Sequence, residues 1–214
     1  MDQQKQRVID FYQRIERDPL ARPKRGFMGW LERRDLRALE ALLDAAPGQS
    51  LLDVGAGLGV QARMFQRAGL RVTAVENVPA RVELLGPHVG EALLGDVDHL
   101  DLGRRFDRVI CIGVLDYTAD RARAVHNLAR HVAPGGRLVI EVPRRSLGGL
   151  VYRAAYRLLH HIDVNLFTIA ELDEVAKLSG LRPARHSRPF LHSLFGAWTG
   201  PVADSAAEPA RHVA

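Results

Sequence analysis

An apolar run that leads directly into a turn with three alternating glycines constrains the fold of this chain more than any other feature. The run covers residues 51–54, the glycines are Gly55, Gly57 and Gly59, and a helical segment follows at 61–68. Glycine adopts positive φ at little cost and lets the backbone approach a ligand closely. In an open parallel sheet, ligands bind beyond the carboxyl ends of the strands, beside the first strand. The segment therefore predicts the first strand, turn and helix of a ligand-binding α/β domain.

The chain after Ser50 alternates short apolar runs with helical segments, a pattern typical of a parallel sheet that is buried on both faces. Two predicted helices, at 5–17 and 30–46, precede the first strand. The last two apolar runs are separated by a short segment with Arg188 and Pro189, close enough for a hairpin. We predict an α/β fold with a Rossmann-like doubly wound sheet, mostly parallel with an antiparallel last strand, and two N-terminal helices. The predicted strands are 51–54, 71–75, 92–94, 108–112, 137–142, 181–187 and 191–198.

The length of 214 residues fits one domain of ordinary size. We predict a single domain at 1–200, with an N-terminal helical cap at 1–46 and a helical insert at about 146–161. The tail at 201–214 has no apolar period and is predicted to be disordered. The first residues lack the apolar core of a signal peptide, and no apolar run approaches the roughly 20 residues that span a bilayer. Cys111 is the single cysteine, so nothing requires an oxidising compartment, and we expect a cytoplasmic protein.

The net charge of +5 comes from arginines spread between Arg7 and Arg211 rather than from one basic block. An RNA-binding surface would interleave basic and aromatic side chains, and aromatics make up only 6% of the chain. Nucleic acid is therefore not favoured as a partner. The nine histidines form no His-x-x-x-His pair, so no metal site is predicted.

Two details of the glycine turn argue against a dinucleotide site. In the fingerprint Gly-x-Gly-x-x-Gly, the third glycine would fall on Val60. Asp53, an anion at the end of the first strand, is placed to help hold a cationic amine rather than a pyrophosphate. S-adenosylmethionine carries an ammonium and a sulfonium and has no phosphate, so it suits this turn better.

The segment 53–59 resembles the first motif of class I S-adenosylmethionine-dependent methyltransferases. Segments 95–97, 106–115 and 132–140 resemble later motifs of the same family in the same order, so that the resemblance covers about residues 30–198. It implies S-adenosylmethionine as cofactor, S-adenosylhomocysteine as product, and a carboxylate, Glu76, that accepts hydrogen bonds from both ribose hydroxyls. The cofactor-binding residues that it implies are Asp53, Gly55, Ala56, Gly57, Gly59, Glu76, Asp96, Val97, Ile112 and, from the helix before the first strand, Arg34.

The acceptor side of the site is less defined by the sequence. The family often has Leu-Glu-His after the fourth strand, whereas this chain has Leu115-Asp116-Tyr117. Asp116 and Tyr117 are thus candidates for proton removal or acceptor orientation, with loop capping as the alternative. The apolar stripe at 147–159 either packs in the core, or covers a partly apolar acceptor with Tyr152 and Tyr156, or contacts a membrane surface.

We therefore predict methyl transfer from S-adenosylmethionine to an oxygen or nitrogen of a small, partly apolar molecule. The sulfonium is already activated, so the protein contributes mainly by alignment and by exclusion of water. The alternatives are a non-catalytic cofactor-binding protein of the same fold, an RNA or protein methyltransferase, and a nucleotide-dependent oxidoreductase.

Overall fold

The computed structural model describes residues 6–11, 26–189 and 192–201. Seven strands form one sheet in the order β3-β2-β1-β4-β5-β7-β6. Among the described strands, β7 alone runs in the opposite direction to the others, so that its pairings with β5 and β6 are antiparallel. The sheet confirms the predicted α/β fold and the antiparallel last strand. The strands are β1 (Ser50–Val54), β2 (Arg71–Glu76), β3 (Glu91–Leu94), β4 (Phe106–Ile112), β5 (Val132–Pro143), β6 (Arg182–Ser187) and β7 (Ser193–Thr199).

Helices connect the strands and cover both faces of the sheet. Residues 6–11 are helical (α1), whereas 5 and 12–17 of the first predicted helix lie outside the described residues. Short 3₁₀ helices occupy Gly86–His88, Val97–His99 and Leu115–Tyr117. The remaining helices are α2 (Gly26–Leu43), α3 (Val60–Arg67), α4 (Pro79–Leu85), α5 (Arg121–Arg130), α6 (Leu147–His160) and α7 (Ile169–Leu178).

Two hydrophobic clusters sandwich the sheet, because adjacent residues of a strand point to opposite faces. Leu52 belongs to the cluster that α5 and α7 cover, and Leu51 belongs to the cluster that α2 and α3 cover. Both leucines are fully buried. This arrangement confirms the doubly wound sheet, and it leaves the carboxyl ends of the parallel strands open on one edge.

The observed element ends differ from the predicted ones by a few residues. The strand β5 begins at Val132 rather than at residue 137, because Val132 pairs with Phe106 ahead of an irregularity in the register. At the other end of the chain, Pro201 accepts a hydrogen bond from the Gly135 N–H at 2.9 Å. The rest of the predicted disordered tail, 202–214, lies outside the described residues.

The apolar stripe of α6 faces outward. Leu147, Val151 and Leu158 are exposed to 84%, 70% and 79%, and Gly149 is the one described residue of this helix that is buried. The interpretation of the stripe as core packing is therefore wrong. Helical spacing shows that apolar side chains share a face, but it does not show which way that face points. None of the described helices is long and apolar enough to cross a membrane.

Candidate functional site

A cavity of about 370 Å³ lies at the carboxyl ends of β1, β2 and β4. This volume is within the range of small-molecule sites. The turn after β1 lines the cavity, and Val8 and Ile9 of α1 line it together with Glu32 of α2. We call it the cofactor cavity.

Backbone conformation and the surrounding space both favour glycine at the three positions of the turn. All three have positive φ, of 76°, 57° and 71°. A Cβ on Gly55 would lie 2.2 Å from Cγ2 of Val114, and one on Gly59 would lie 2.2 Å from Cδ2 of Leu85. A Cβ on Gly57 would approach no neighbour closer than 3.9 Å and would take up space in the cofactor cavity that this residue lines.

Backbone hydrogen bonds hold the Glu76 carboxylate at the wall of the cofactor cavity. Oε2 accepts the Gly57 N–H at 2.8 Å, and Oε1 accepts the Val78 N–H at 3.1 Å. The side chain is 4% exposed, and the Arg81 guanidinium lies 3.9 Å from Oε1. Each carboxylate oxygen keeps a second lone pair for a ligand hydroxyl. The geometry is therefore that of a fixed, pre-oriented acceptor pair.

Most of the residues predicted to bind the cofactor meet at this cavity. The Asp96 carboxylate caps its own loop by accepting the Asp98 N–H at 3.0 Å, and Asp96 also lines the cavity. Tyr117, a predicted acceptor-side residue, lines it as well. The predicted residues that the structure brings together here are Gly55, Ala56, Gly57, Glu76, Asp96, Val97, Ile112 and Tyr117.

Asp53, Gly59 and Arg34 are not among the described residues that line the cofactor cavity. Asp53 lies behind the glycine turn and is 2% exposed; burial, and then the nearby Glu76 charge, raise the pKa of its carboxyl to about 7. The Arg34 guanidinium lies over the Trp30 ring, 4.8 Å from its centroid. Direct cofactor contacts of Asp53 and Arg34 therefore remain predictions.

A second cavity, of about 250 Å³, adjoins the first. The two share the lining residues Glu32, Val60, Gln61 and Ile112. We call the second one the acceptor chamber. Its other polar residues are Asp35, Glu141, His192 and Ser193, and its apolar ones are Leu31, Leu36, Leu39 and Phe195.

Burial dominates the electrostatics of the acceptor chamber. It raises the pKa of Asp35 to about 6, although Arg34 and Ser193 act in the opposite direction. It raises the pKa of Glu141 to about 8, and the negative charges of Asp116 and Asp35 add to this shift. Burial lowers the pKa of His192, which favours the neutral imidazole. The chamber therefore gathers titratable groups whose charged forms are poorly solvated.

The polar residues of the chamber, and Glu32 with them, are not among the site residues predicted from the sequence. Glu32, Asp35, Leu36 and Leu39 lie at helical spacing on one face of α2, and this spacing was the available signal. Glu141 gave no such signal, because its position opposite Ile112 depends on the register of β4 and β5.

Asp116 is 2% exposed and is not among the described residues that line either cavity. Burial raises the pKa of its carboxyl to about 7. Its charge nevertheless acts on Glu141, so the two carboxyls are electrostatic neighbours. A direct role for Asp116 in proton removal stays a prediction.

Tyr152 and Tyr156 form an aromatic group between α6 and the two cavities. The Tyr152 ring stacks on His192 of the acceptor chamber, with 5.1 Å between ring centroids. Tyr156 lies 4.6 Å from Tyr152 and 6.3 Å from Phe11 of α1. Neither tyrosine is among the described lining residues, so a role at the acceptor would act through His192 and α1.

We expect the buried Asp116 to make the free energy of unfolding depend on pH. Its folded pKa of about 7 exceeds the ordinary aspartate value of 3.8, so its contribution to the free energy of unfolding is fully present below about pH 4 and is lost as the pH rises through 7. Each unit of difference corresponds to about 1.4 kcal/mol. Asp53 and Glu141 shift stability in the same direction.

Urea unfolding of the cofactor-free protein at pH 5 and pH 7.5 measures this effect. Asp116→Asn should reduce the difference in unfolding free energy between the two pH values by at least about 1 kcal/mol. Glu174→Gln, at an exposed position of α7, serves as the control and should leave the difference unchanged. An equal difference in Asp116→Asn and the parent would show that Asp116 is ionised at pH 5 in the folded state.

Comparisons with known proteins agree with this architecture. A family model described as a methyltransferase domain matches residues 27–186. The chain is 34% identical over 122 residues to the dTDP-4-amino-2,3,4,6-tetradeoxy-D-glucose N,N-dimethyltransferase of Saccharopolyspora spinosa, a match that covers 53% of this chain and 48% of that protein. The match thus spans about half the length of this relative.

A second relative is the ubiquinone biosynthesis O-methyltransferase of a Methylobacterium species. It is 29% identical over 168 residues, which cover 71% of this chain and 67% of that protein. Among solved structures, magnesium protoporphyrin IX methyltransferase from Synechocystis with bound S-adenosylhomocysteine superposes with a TM-score of 0.72 at 18% identity. The superposition covers 92% of this chain and 99% of that one, and it shows a shared fold.

Proposed function

Because the chain belongs to the class I S-adenosylmethionine-dependent methyltransferases, whose cofactor it therefore uses, we propose that it methylates an oxygen or nitrogen of a small, partly apolar molecule. The observation that carries this proposal is the adjacency of the two cavities. The cofactor cavity has the hydrogen-bond-accepting carboxylates and the glycine turn that suit S-adenosylmethionine. The acceptor chamber is of small-molecule size. The shared wall at Ile112 places their contents next to each other.

The residues of the cofactor cavity fit S-adenosylmethionine. The two oxygens of Glu76, fixed by the Gly57 and Val78 N–H groups, match the two hydroxyls of a ribose. We expect the space beside Gly57 to take the methionine portion, and Asp96 and Val97, which line the same cavity, to contact the adenine edge. The buried Asp53 lies behind the turn, and a cationic ligand above the turn would favour the ionised form of this carboxyl, whose pKa is raised to about 7 without it.

When bound, S-adenosylmethionine supplies a methyl group on a positively charged sulfur. The protein's own residues then hold the acceptor atom in line with the methyl carbon and exclude water. Such alignment contributes several kcal/mol to lowering the barrier. The side chains of the acceptor chamber orient the acceptor, while α1 lies over the cofactor cavity through Val8 and Ile9.

A small acceptor is favoured over a polymer because the chamber holds only about 250 Å³ and has an apolar side built from Leu31, Leu39 and Phe195. By their names, one relative methylates nitrogen and another oxygen, so both acceptor atoms fall within the proposal. Cys111 is a free, buried thiol, which suits a reducing compartment such as the cytoplasm.

Calorimetry combined with product analysis tests the proposal. We expect S-adenosylhomocysteine to bind in the micromolar range of Kd and NAD not to bind, since a pyrophosphate has no matching turn. Methyl-labelled S-adenosylmethionine is then incubated with panels of small amines, phenols, alcohols and carboxylic acids, and with RNA. Label in a small product supports the proposal. Binding of NAD alone, label only in RNA, or tight S-adenosylhomocysteine binding without transfer to any panel would each contradict it.

A further inference from the structure

The acceptor chamber joins two carboxyl groups from distant parts of the chain. Asp35 comes from α2 and Glu141 from β5, and both line the same 250 Å³. Glu141 also lies next to the cofactor cavity: a Cβ on Gly113, which lines that cavity, would be 3.9 Å from Glu141 Oε2. A group held by Glu141 would therefore be close to the reacting end of the cofactor.

Asp35, with Ser193 beside it, supplies an independent sign that the chamber takes a polar ligand. Ser193 lines the chamber, is 1% exposed, and its hydroxyl lies close enough to the Asp35 carboxyl to lower the pKa of that group by hydrogen bonding. The Oδ1 atom of Asp35 is buried without a hydrogen-bond partner within the described part of the chain. Buried polar atoms are normally satisfied, so this oxygen indicates a missing hydrogen-bond donor. A ligand N–H group would satisfy it.

The charges that face Glu141 favour a cation. They come from Asp35 of α2 and from Asp116 after β4, while Glu32 adds negative charge beside Asp35 and burial favours the neutral form of His192. Arg34 offsets part of the charge at Asp35. A bound ammonium would relieve the repulsion among these carboxyls, whereas a phenolate or a carboxylate would increase it.

We propose that the acceptor chamber binds a small primary or secondary amine and that its nitrogen receives the methyl group, with Asp35 and Ser193 holding the nitrogen and Glu141 taking its proton. This proposal rests on the methyl-transfer function proposed above. The side chains of Leu31, Leu36, Leu39 and Phe195 would cover the carbon skeleton of the amine.

The proton must move first, because an ammonium has no lone pair. The bound ammonium favours the ionised form of Glu141. This carboxylate then accepts one N–H proton and becomes a neutral carboxyl, which leaves a free amine. The nitrogen lone pair then forms a bond to the methyl carbon while the carbon–sulfur bond breaks and its electron pair stays on sulfur. The products are the methylated ammonium and S-adenosylhomocysteine, and Glu141 later returns its proton to solvent.

The experiment uses the full chain with pairs of acceptors of equal size: 2-phenylethylamine and 2-phenylethanol, benzylamine and benzyl alcohol, and 4-methylphenol as a phenol. Calorimetry measures binding of each to the protein saturated with S-adenosylhomocysteine, and mass spectrometry identifies the methylated atom. We expect amines to bind and to be N-methylated, with the oxygen analogues at least tenfold weaker. Methylation of the phenol or alcohols with no reaction of the amines would overturn the amine proposal and leave methyl transfer standing.

Two variants distinguish binding of the amine from removal of its proton. Asp35→Asn should weaken amine binding at least tenfold, and Glu141→Gln should lower kcat by at least 100-fold. Both should bind S-adenosylhomocysteine within threefold of the parent, which also shows that they fold. Glu40→Gln, at an exposed position of the same helix as Asp35, is the control and should change neither quantity.

Two further results would overturn the proposal. The first is unchanged amine binding in Asp35→Asn together with unchanged kcat in Glu141→Gln. The second is failure of the parent protein to bind S-adenosylhomocysteine, which would also remove the methyl-transfer function on which the proposal rests.

Discussion

Replacing Glu76 by alanine should weaken S-adenosylhomocysteine binding at least about 100-fold. The carboxylate is held by two backbone N–H groups, so it meets the ribose without losing conformational entropy on binding. A hydrogen bond to a charged group contributes about 1.5–3 kcal/mol, and every 1.4 kcal/mol corresponds to a factor of ten in Kd. Loss of two such bonds therefore exceeds a hundredfold, and the change also frees the Gly57 and Val78 N–H groups that shape the cavity wall.

Calorimetric titration of the parent and the variants with S-adenosylhomocysteine measures this effect. Glu76→Gln keeps one acceptor oxygen and should show an intermediate loss of about tenfold. Glu83→Ala, at an exposed position of α4, removes the same charge away from the cavity and should bind within threefold of the parent. If Glu76→Ala retained affinity within that same range, the ribose would have to be held by other groups.

The sequence was informative where structure follows from local chemistry. The turn after β1 was predictable because Gly55, Gly57 and Gly59 need backbone conformations and spaces that other residues do not fit. Glu76 and Asp96 were predicted from the family resemblance, which places one carboxylate at the end of the second strand and the other just beyond the third, and both line the cofactor cavity. Hydrophobic runs placed all seven strands to within a few residues. The signal was clearest for central strands such as β1 and β2, which are buried on both faces, whereas β3 and β6 at the sheet edges are more exposed.

The acceptor chamber was not predictable, because it depends on contacts between distant segments. Asp35, Glu141 and His192 belong to a helix, a central strand and the segment before β7. Arg34 was predicted from its distance before the first strand, with Arg33 and Arg37 as alternatives. Which residues of α2 face the cavities depends on the rotation of the helix, and a change of two positions turns a helix face by roughly 200°. The outward direction of the α6 stripe is a property of the whole fold, since the same spacing suits either a core or an exposed face.

Trp198 links the antiparallel edge of the sheet to the helix above it. Its side chain is fully buried in the cluster under α5 and α7, and its Nε1–H donates to Asp173 Oδ1 at 2.8 Å. The ring also lies over Gly196, where a Cβ would come within 2.1 Å of it. Because the ring fills the space between β7 and α7, the surroundings have little freedom to collapse after its removal.

We therefore expect Trp198→Ala to lower the free energy of unfolding by about 3–5 kcal/mol, a large part of the 5–15 kcal/mol typical of a domain. Urea unfolding followed by circular dichroism measures the change. Trp198→Phe keeps an aromatic ring but removes the N–H that donates to Asp173, whose carboxylate then keeps the contact with His186. This variant should lower the free energy of unfolding by about 1–2 kcal/mol. A loss below about 1 kcal/mol in Trp198→Ala would mean that β7 and α7 repack freely, which the close fit over Gly196 argues against.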